Sequence, residues 1–400
     1  MNQWEEKRLE DIVFINPTVK LTKGKQYAFI DIDKVSPTLR TVSNAETKVY
    51  DGQSCSKFIN GDTVFSRITP CLENRKIAEV KIDSEAGFGS TEFYIFRAKK
   101  HKAYDKFVYY LVSSDVVVLP AINSMTGASG RQRADKRFIQ RTKLNVPDLP
   151  TQTRIADILS AYDDLIENNI HRIALLEQAA QELYKEWFVR FRFPGHEKVK
   201  FEDGLPKGWK IKRLEDYGRI ETGKTPSTEI TENYGGEIMF VKTPDMHGNV
   251  FVIQAEKTLS KRGNDTQPKK LLPQNSIMVS CIGTGGVVAI NAERAHTNQQ
   301  INSIILNDLA YLEWLYFTCI SLKETIELFG ATGSTMTNLS KGKFEKLKVI
   351  APCKELVLEY HNISKDLFEE IKSLMYKNQN LTTQRDLLLP RLLSGKMEVH

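Results

Sequence analysis

Apolar positions along the chain follow two regimes. In the first they cluster or alternate over short runs beside turn-forming glycine, proline, asparagine or serine, the pattern of β-strands. Such runs lie at 27–32, 63–66 and 92–96, and again at 238–241, 276–280 and 301–306. An amphipathic helical stretch follows each set, at 106–119 and 311–329. The second regime is longer. From 151 to about 188, apolar residues recur at heptad spacing (Ile155, Leu159, Tyr162, Ile166, Ile173, Leu176, Ala180, Leu183, Trp187), and from about 356 to 389 so do Leu367, Ile371, Leu374, Leu381 and Leu388. Sustained alternation of three and four is the seam of a coiled coil. One seam position in each helix is asparagine, Asn169 and Asn378. If the helices run antiparallel with these two opposed, Leu159 faces Leu388, Ile166 faces Leu381, Ile173 faces Leu374 and Ala180 faces Leu367; a buried asparagine fixes register at some cost in stability.

The same order of elements is written twice. Trp4-Glu5-Glu6-Lys7-Arg8-Leu9-Glu10-Asp11 returns as Trp209-Lys210-Ile211-Lys212-Arg213-Leu214-Glu215-Asp216, six of eight positions identical at an offset of 205. Further on, Thr126-Gly127-Ala128-Ser129 matches Thr332-Gly333-Ser334-Thr335, Phe138 matches Phe344, and Val146-Pro147 matches Ala351-Pro352. Between these anchors the copies diverge, so a scaffold is kept while its decoration changes. The expected fold is α+β: two globular domains related by pseudo-two-fold symmetry, at 1–150 and 194–353, separated by two long antiparallel coiled-coil helices at 151–193 and 354–400. A helix of about 38 residues spans roughly 57 Å, against about 34–36 Å for one turn of B-DNA. The repeat and the heptads by themselves support a pseudo-symmetric two-headed binder.

Three motifs carry a more specific resemblance: the doubled Trp-x-x-x-Arg-Leu-Glu-Asp opening; the first helix, from Gln152-Thr153-Arg154-Ile155-Ala156-Asp157 to Leu183-Tyr184-Lys185-Glu186-Trp187-Phe188; and the closing Leu387-Leu388-Leu389-Pro390-Arg391-Leu392-Leu393-Ser394-Gly395-Lys396. With these, over essentially its whole length, the chain resembles the specificity subunits of type I restriction–modification systems. The resemblance implies two target-recognition domains that each read one half of a split, asymmetric site on double-stranded DNA, and helices that act as a ruler and dock two methyltransferase subunits. Restriction and translocation then belong to separate motor subunits. It also implies that the chain has no catalytic centre and no cofactor of its own, S-adenosylmethionine, ATP and Mg²⁺ belonging to partner subunits. Arg154, Asp157, Asp163, Glu167 and Arg172 mark the outer helix faces, open to solvent or to a docked methyltransferase.

Composition narrows the classes without choosing among them. With 400 residues, 41% of them hydrophobic, the chain fills two or more ordinary cores. No apolar run approaches the roughly 18–20 residues of a membrane span. The start lacks a signal-peptide layout, and the five cysteines are scattered without a CxxC pair, which places the expected protein in a reducing cytoplasm with neither a disulfide framework nor a zinc site. A net charge of +6 permits nucleic-acid binding without requiring it.

Catalytic signatures fail in context. Gly218-Arg219-Ile220-Glu221-Thr222-Gly223-Lys224-Thr225 formally satisfies the phosphate-cradling GxxxxGK[ST] pattern, but Pro226-Ser227-Thr228 follows where a helix should open. No Asp/Asn-Pro-Pro-aromatic loop marks an adenine methyltransferase, no acidic-x-Lys partner supports a nuclease, and the histidines are isolated.

The strongest candidate for reading DNA is the segment Thr126, Gly127, Ala128, Ser129, Gly130, Arg131, Gln132, Arg133 through Lys136 and Arg137. Small residues let the backbone approach closely. Arginine matches both major-groove acceptors of guanine, glutamine matches adenine, and lysine clamps phosphate. In the second copy the slot is neutral (Thr332, Ser334, Thr335, Asn338), as two unlike half-sites require. Ser66, Arg67 and Thr69 at a strand end, the amide-rich Asn298, Gln299 and Gln300, and Lys224, Thr225 and Lys242 on loops complete the set. A scaffold that assembles protein partners without reading sequence remains the rival; salt-dependent, competed binding to duplexes separates the two.

Overall fold

The computed structural model describes residues 4–43, 46–331 and 337–399. The chain forms two compact units, residues 1–168 with 378–400, and residues 169–377.

Each unit repeats one topology. In the first, a five-stranded sheet runs in the order Val13–Ile15, Phe93–Ala98, Thr63–Ser66, Ile77–Lys81, Thr41–Ser43. In the second the order is Gly218–Thr222, Ile301–Leu306, Ile277–Ser280, Val288–Asn291, Phe251–Val252. In both sheets only the final strand joins parallel. A smaller sheet repeats as well. Gln26–Ile30 lies antiparallel to Glu46–Val49 and parallel to Gly87–Gly89; Tyr234–Val241 lies antiparallel to Lys257–Leu259 and parallel to Ala295–Thr297.

The repeated opening motif has a local cause. Leu9 and Leu214 are fully buried, while the Arg8 and Arg213 amides donate to Asp11 Oδ2 at 2.9 Å and Asp216 Oδ2 at 2.8 Å. Each aspartate thus satisfies an amide that the first helical turn leaves open. The tryptophans cover helix ends. Trp4 packs on Gly395, where an added Cβ would fall 2.9 Å from the indole. Trp209 stacks on Phe193 at 5.8 Å between ring centroids.

Two expectations shift by small amounts. Phe138 is exposed, and the residue that answers to the buried Phe344 is its neighbour Ile139, also fully buried. The stretch at 106–119 is two helices, Asp105–Ser113 and Asp115–Asn123, because Ser114 is extended; its counterpart likewise divides into Leu312–Ser321 and Lys323–Gly330.

The central helix Leu149–Tyr184 opens on Asp148, whose Oδ1 accepts from the Thr151 amide at 3.0 Å; the Thr151 hydroxyl, and then this amide, hold the carboxyl below its usual range. Gln152, fully buried, staples this end to its unit: Oε1 accepts from the Tyr104 amide at 3.0 Å and Nε2 donates to Pro147 O at 2.9 Å. The C-terminal helix Lys354–Leu393 pairs with it antiparallel in both units. In the first unit Arg385 pairs with Asp163, and Asn378 Nδ2 donates to Ile166 O at 3.3 Å, one turn from the partner expected of Asn378. In the second, Arg172 pairs with Glu370 at 2.8 Å and Tyr360 donates to Ala180 O at 3.1 Å. Leu159, Ile166, Ile371 and Leu374 are buried as the heptads require, but Phe368 rather than Leu367 fills the seam.

Two residues of the helix face expected to be outward, Asp163 and Glu167, are spoken for. Asp163, 2% exposed, accepts from Tyr110 as well as pairing with Arg385. Glu167 accepts from the Thr41 amide at 3.1 Å, and Arg40 links Glu79 to Asp164. Arg154, Asp157 and Arg172 do remain exposed. In the second unit the positions 205 residues removed from Asp163 and Arg385 are Phe368 and Ala180, both buried, so an ionic junction in one unit is apolar in the other.

Candidate nucleic-acid interface

In the first unit the loop after strand Thr63–Ser66 is clipped to the segment at 126–134. Thr69 and Gln132 exchange two bonds, the Thr69 amide to Gln132 O at 3.0 Å and the Gln132 amide to Thr69 Oγ1 at 3.1 Å, while the Ala134 amide donates to Arg67 O at 2.8 Å. Gly127 and Gly130 take positive φ, +126° and +75°, which lets the segment turn back on itself. Arg67 and Arg133 converge on one carboxylate, Glu92: Arg133 Nη2 and Nε reach it at 2.7 and 2.9 Å and Arg67 Nε at 3.2 Å. The hydrogen bonds from Arg133, reinforced by both positive charges, hold the Glu92 carboxyl below its ordinary range. The Arg67 guanidinium lies 5.4 Å from the Tyr94 ring centroid, and the Tyr94 hydroxyl donates to Ala134 O at 2.8 Å.

Not every predicted residue reaches this surface. Ser66 is fully buried and Thr69 nearly so, making them parts of the support and not contacts. Thr126, Gly127, Ser129, Arg131 and Arg133 are exposed; Gln132 and Lys136 are half-buried, Lys136 starting a short helix capped by Asp135. Glu92 and Tyr94 were not marked by sequence reasoning. The only signal for Glu92 was its place before the strand Phe93–Ala98, where the other copy carries Gln300.

The second unit builds the same slots from different side chains. The Cys281 amide donates to Gln300 O as the Arg67 amide does to Glu92 O, at 2.7 and 2.9 Å; the Leu339 amide donates to Cys281 O as that of Ala134 does to Arg67 O, at 2.9 and 2.8 Å. The turn before each strand is likewise shared: the Gln300 amide donates to Asn298 Oδ1 and the Glu92 amide to Ser90 Oγ, both at 3.2 Å. Asn338, exposed, bridges to Ile282 as Arg133 does to Ile68. Arg67, Glu92 and Arg133 therefore answer to Cys281, Gln300 and Asn338, a charged trio against a neutral one. Burial pushes the Cys281 thiol up to about 11. Thr332, Ser334 and Thr335 lie outside the described residues.

The remaining candidates of this unit gather around the turn at 297–300. Thr225 Oγ1 donates to Gln299 Oε1 at 2.7 Å, Asn298 Nδ2 donates to Gln300 Oε1 at 2.9 Å, and the Lys224 amide donates to Thr297 O at 2.9 Å with its side chain exposed. Lys242 is half-buried and pairs with Glu256 at 3.7 Å. The GxxxxGK[ST] segment is a strand, Gly218–Thr222, with no helix after it. Gly223 is glycine because a Cβ there would fall 2.2 Å from Asn298 O and 2.3 Å from Thr297 O.

Beneath this turn lies a buried polar chain. His296 is fully buried; its Nε2 donates to Asn264 Oδ1 at 2.9 Å and its Nδ1 accepts from Gln267 Nε2 at 3.3 Å, the tautomer these partners demand. Gln267 Nε2 also donates to Lys224 O at 2.9 Å. Burial drives the imidazole down to about 4 from its ordinary 6.5. Below pH 6.5 the unfolded chain binds a proton that the folded unit refuses, so stability falls as pH drops from about 6.5 toward 4. Thermal unfolding followed across that window should show this loss in the native chain, and His296→Gln should flatten it. An unchanged slope in the variant would remove His296 as the cause.

Among the described residues no group of three or more His, Cys, Asp or Glu side chains is placed to hold a metal ion, and no helix is long and apolar enough to cross a membrane.

The sequence profile of the type I restriction modification DNA specificity domain matches residues 1–178 and 206–372. The chain belongs to that family. It is 30% identical to the type I restriction enzyme HindI specificity subunit of Haemophilus influenzae, over 99% of this chain and all of that one. It is 25% identical to the MjaIX specificity subunit of Methanocaldococcus jannaschii, over 99% and 94% of the two chains. The crystal structure of the type I restriction–modification S subunit from M. genitalium matches it with a TM-score of 0.58 at 14% identity, covering 100% of this chain and 97% of that one, a likeness of fold. The two stretches matched by the family coincide with the two copies of the duplicated topology.

Proposed function

We propose that this chain is the sequence-reading subunit of a type I restriction–modification complex, each unit gripping one half of a bipartite, asymmetric site on double-stranded DNA. The carrying observation is that identical backbone bonds present Arg67, Glu92 and Arg133 in one unit and Cys281, Gln300 and Asn338 in the other. A scaffold for proteins alone has no need to vary these tips while keeping their supports. Phosphate contacts from exposed cations such as Lys224 and Arg131 supply affinity without specificity, and the trios discriminate. Two modification subunits dock on the long helices, where Ile158 and Leu165 in the first unit and Leu175 in the second stay exposed. S-adenosylmethionine, and the ATP and Mg²⁺ of a restriction subunit, act on those cytoplasmic partners, and this chain contributes no catalytic group.

The test is competition binding by the chain assembled with its modification subunit, over a range of salt. Binding that weakens linearly in log salt and still prefers one duplex among random competitors supports the proposal. Salt-dependent binding without preference, or none, supports a scaffold instead.

A further inference from the structure

We infer that the half-site read by the first unit contains a guanine selected by the Arg67–Glu92–Arg133 cluster, and that the half-site read by the second unit has no arginine-selected guanine. This rests on the function proposed above and names the base that one of its two sites takes.

The argument is one of donor geometry. Guanine presents two major-groove acceptors, O6 and N7, which a guanidinium meets with two parallel N–H groups; no other base offers that pair. Such a contact selects well only if the guanidinium is held in place beforehand, because an arginine free to rotate also bonds phosphates. Glu92 holds both guanidinia. Arg133 gives it Nε and Nη2, and Arg67 gives it Nε alone, so that Arg67 Nη1 and Nη2 make no hydrogen bond to a described residue. Tyr94 supports the face of the Arg67 guanidinium, and its own hydroxyl is fixed on Ala134 O. The carboxylate is three-quarters or more buried at 20% exposure, whereas Arg133 is 44% exposed and Arg67 29%. The cluster therefore shows donors outward and its acceptor inward, with one net positive charge. Cytosine, whose groove edge is a donor, meets like groups, and adenine satisfies only half of the fork. In the second unit the corresponding side chains are a buried thiol and two amides, and amides suit the acceptor–donor edge of adenine.

The experiment maps adenine methylation in a host carrying this chain with its modification subunit, and measures duplex competition by the same complex. Arg67→Lys, Arg133→Lys and the double variant keep the charge but lose the fork. The expected result is a roughly 5- to 150-fold loss of discrimination at one G·C pair in one half-site, with the other half-site unaltered and binding to non-specific duplex nearly kept. Glu92→Gln, which keeps the shape and two arginines but loosens their hold, should relax the same pair and steepen the salt dependence. A mapped site with no G·C pair sensitive to these variants overturns the inference while leaving sequence reading intact. A complex with no preference among duplexes overturns the proposed function itself.

Discussion

Asp163→Ala should destabilise the first unit by about 3–5 kcal/mol, the usual consequence of removing one partner from a buried ion pair. For a unit of this size that is a fall of roughly 6–20 °C in its unfolding midpoint. Asp163 is 2% exposed and is the acceptor for both the Tyr110 hydroxyl and the Arg385 guanidinium, whose side chain is 17% exposed. Without it the Tyr110 hydroxyl loses its acceptor in the core, and the half-desolvated Arg385 keeps only the exposed Asp386, which accepts from its Nε at 3.0 Å and Nη2 at 2.8 Å. The second unit supplies the control. Its matching positions carry Phe368 and Ala180, with Phe368 packed edge-on against Tyr316 at 5.6 Å and Phe317 at 5.8 Å. Asp163→Phe combined with Arg385→Ala and Tyr110→Phe should therefore recover most of the loss, since apolar replacements of buried pairs are often neutral or better. Thermal unfolding of the full chain reads both. A midpoint unchanged in Asp163→Ala would show that water reaches this junction and that its charges are not truly desolvated.

Such contrasts between units explain what the sequence could and could not reveal. The helices announce themselves because heptad spacing is local, and the repeat does so because Trp4, Arg8, Leu9 and Asp11 do in the first unit what Trp209, Arg213, Leu214 and Asp216 do in the second. Asp163 looked like one more polar residue on an outer face, because nothing nearby in the sequence shows that Arg385 arrives 222 positions later to cover it. Glu92 was hidden for the same reason: its partners are 25 and 41 residues away, and an acidic residue at a strand end resembles any other. Ser66 failed as a contact because its strand, Thr63–Ser66, is buried on both faces, so neither face of the alternation reaches the surface. Gln152 stood out as a family motif residue, yet its task of satisfying a strand-end carbonyl and a helix-start amide becomes visible only in three dimensions. The loops were legible by the kinds of residue they carry, and not by which of those residues support the others.

Gly223→Ala is expected to abolish reading by the second unit while leaving the first intact. A methyl group there would sit 2.2–2.3 Å from Asn298 O, Thr297 O and Thr297 Oγ1, about 1 Å inside normal contact, and two of those atoms are backbone. Neither side yields cheaply. Gly223 is tied to Ile301 O at 3.1 Å and Lys224 to Thr297 O at 2.9 Å, so the turn bearing Asn298, Gln299 and Gln300 is the part that must move. Its displacement also breaks the Thr225–Gln299 bond at 2.7 Å. If the two halves share the 4–10 kcal/mol that separates specific from non-specific binding, losing one weakens binding to the full site on the order of 30- to 5,000-fold. The variant should then bind the full site no better than the native complex binds a duplex with only the second half-site scrambled. Gly342→Ala is the matched control, an exposed helical glycine whose added Cβ meets nothing nearer than Glu345 Oε1 at 3.9 Å, and it should leave both half-sites unchanged. Equal losses at both half-sites in Gly223→Ala would show that the damage spreads beyond the turn, and native selectivity in that variant would remove the 297–300 turn from the reading surface.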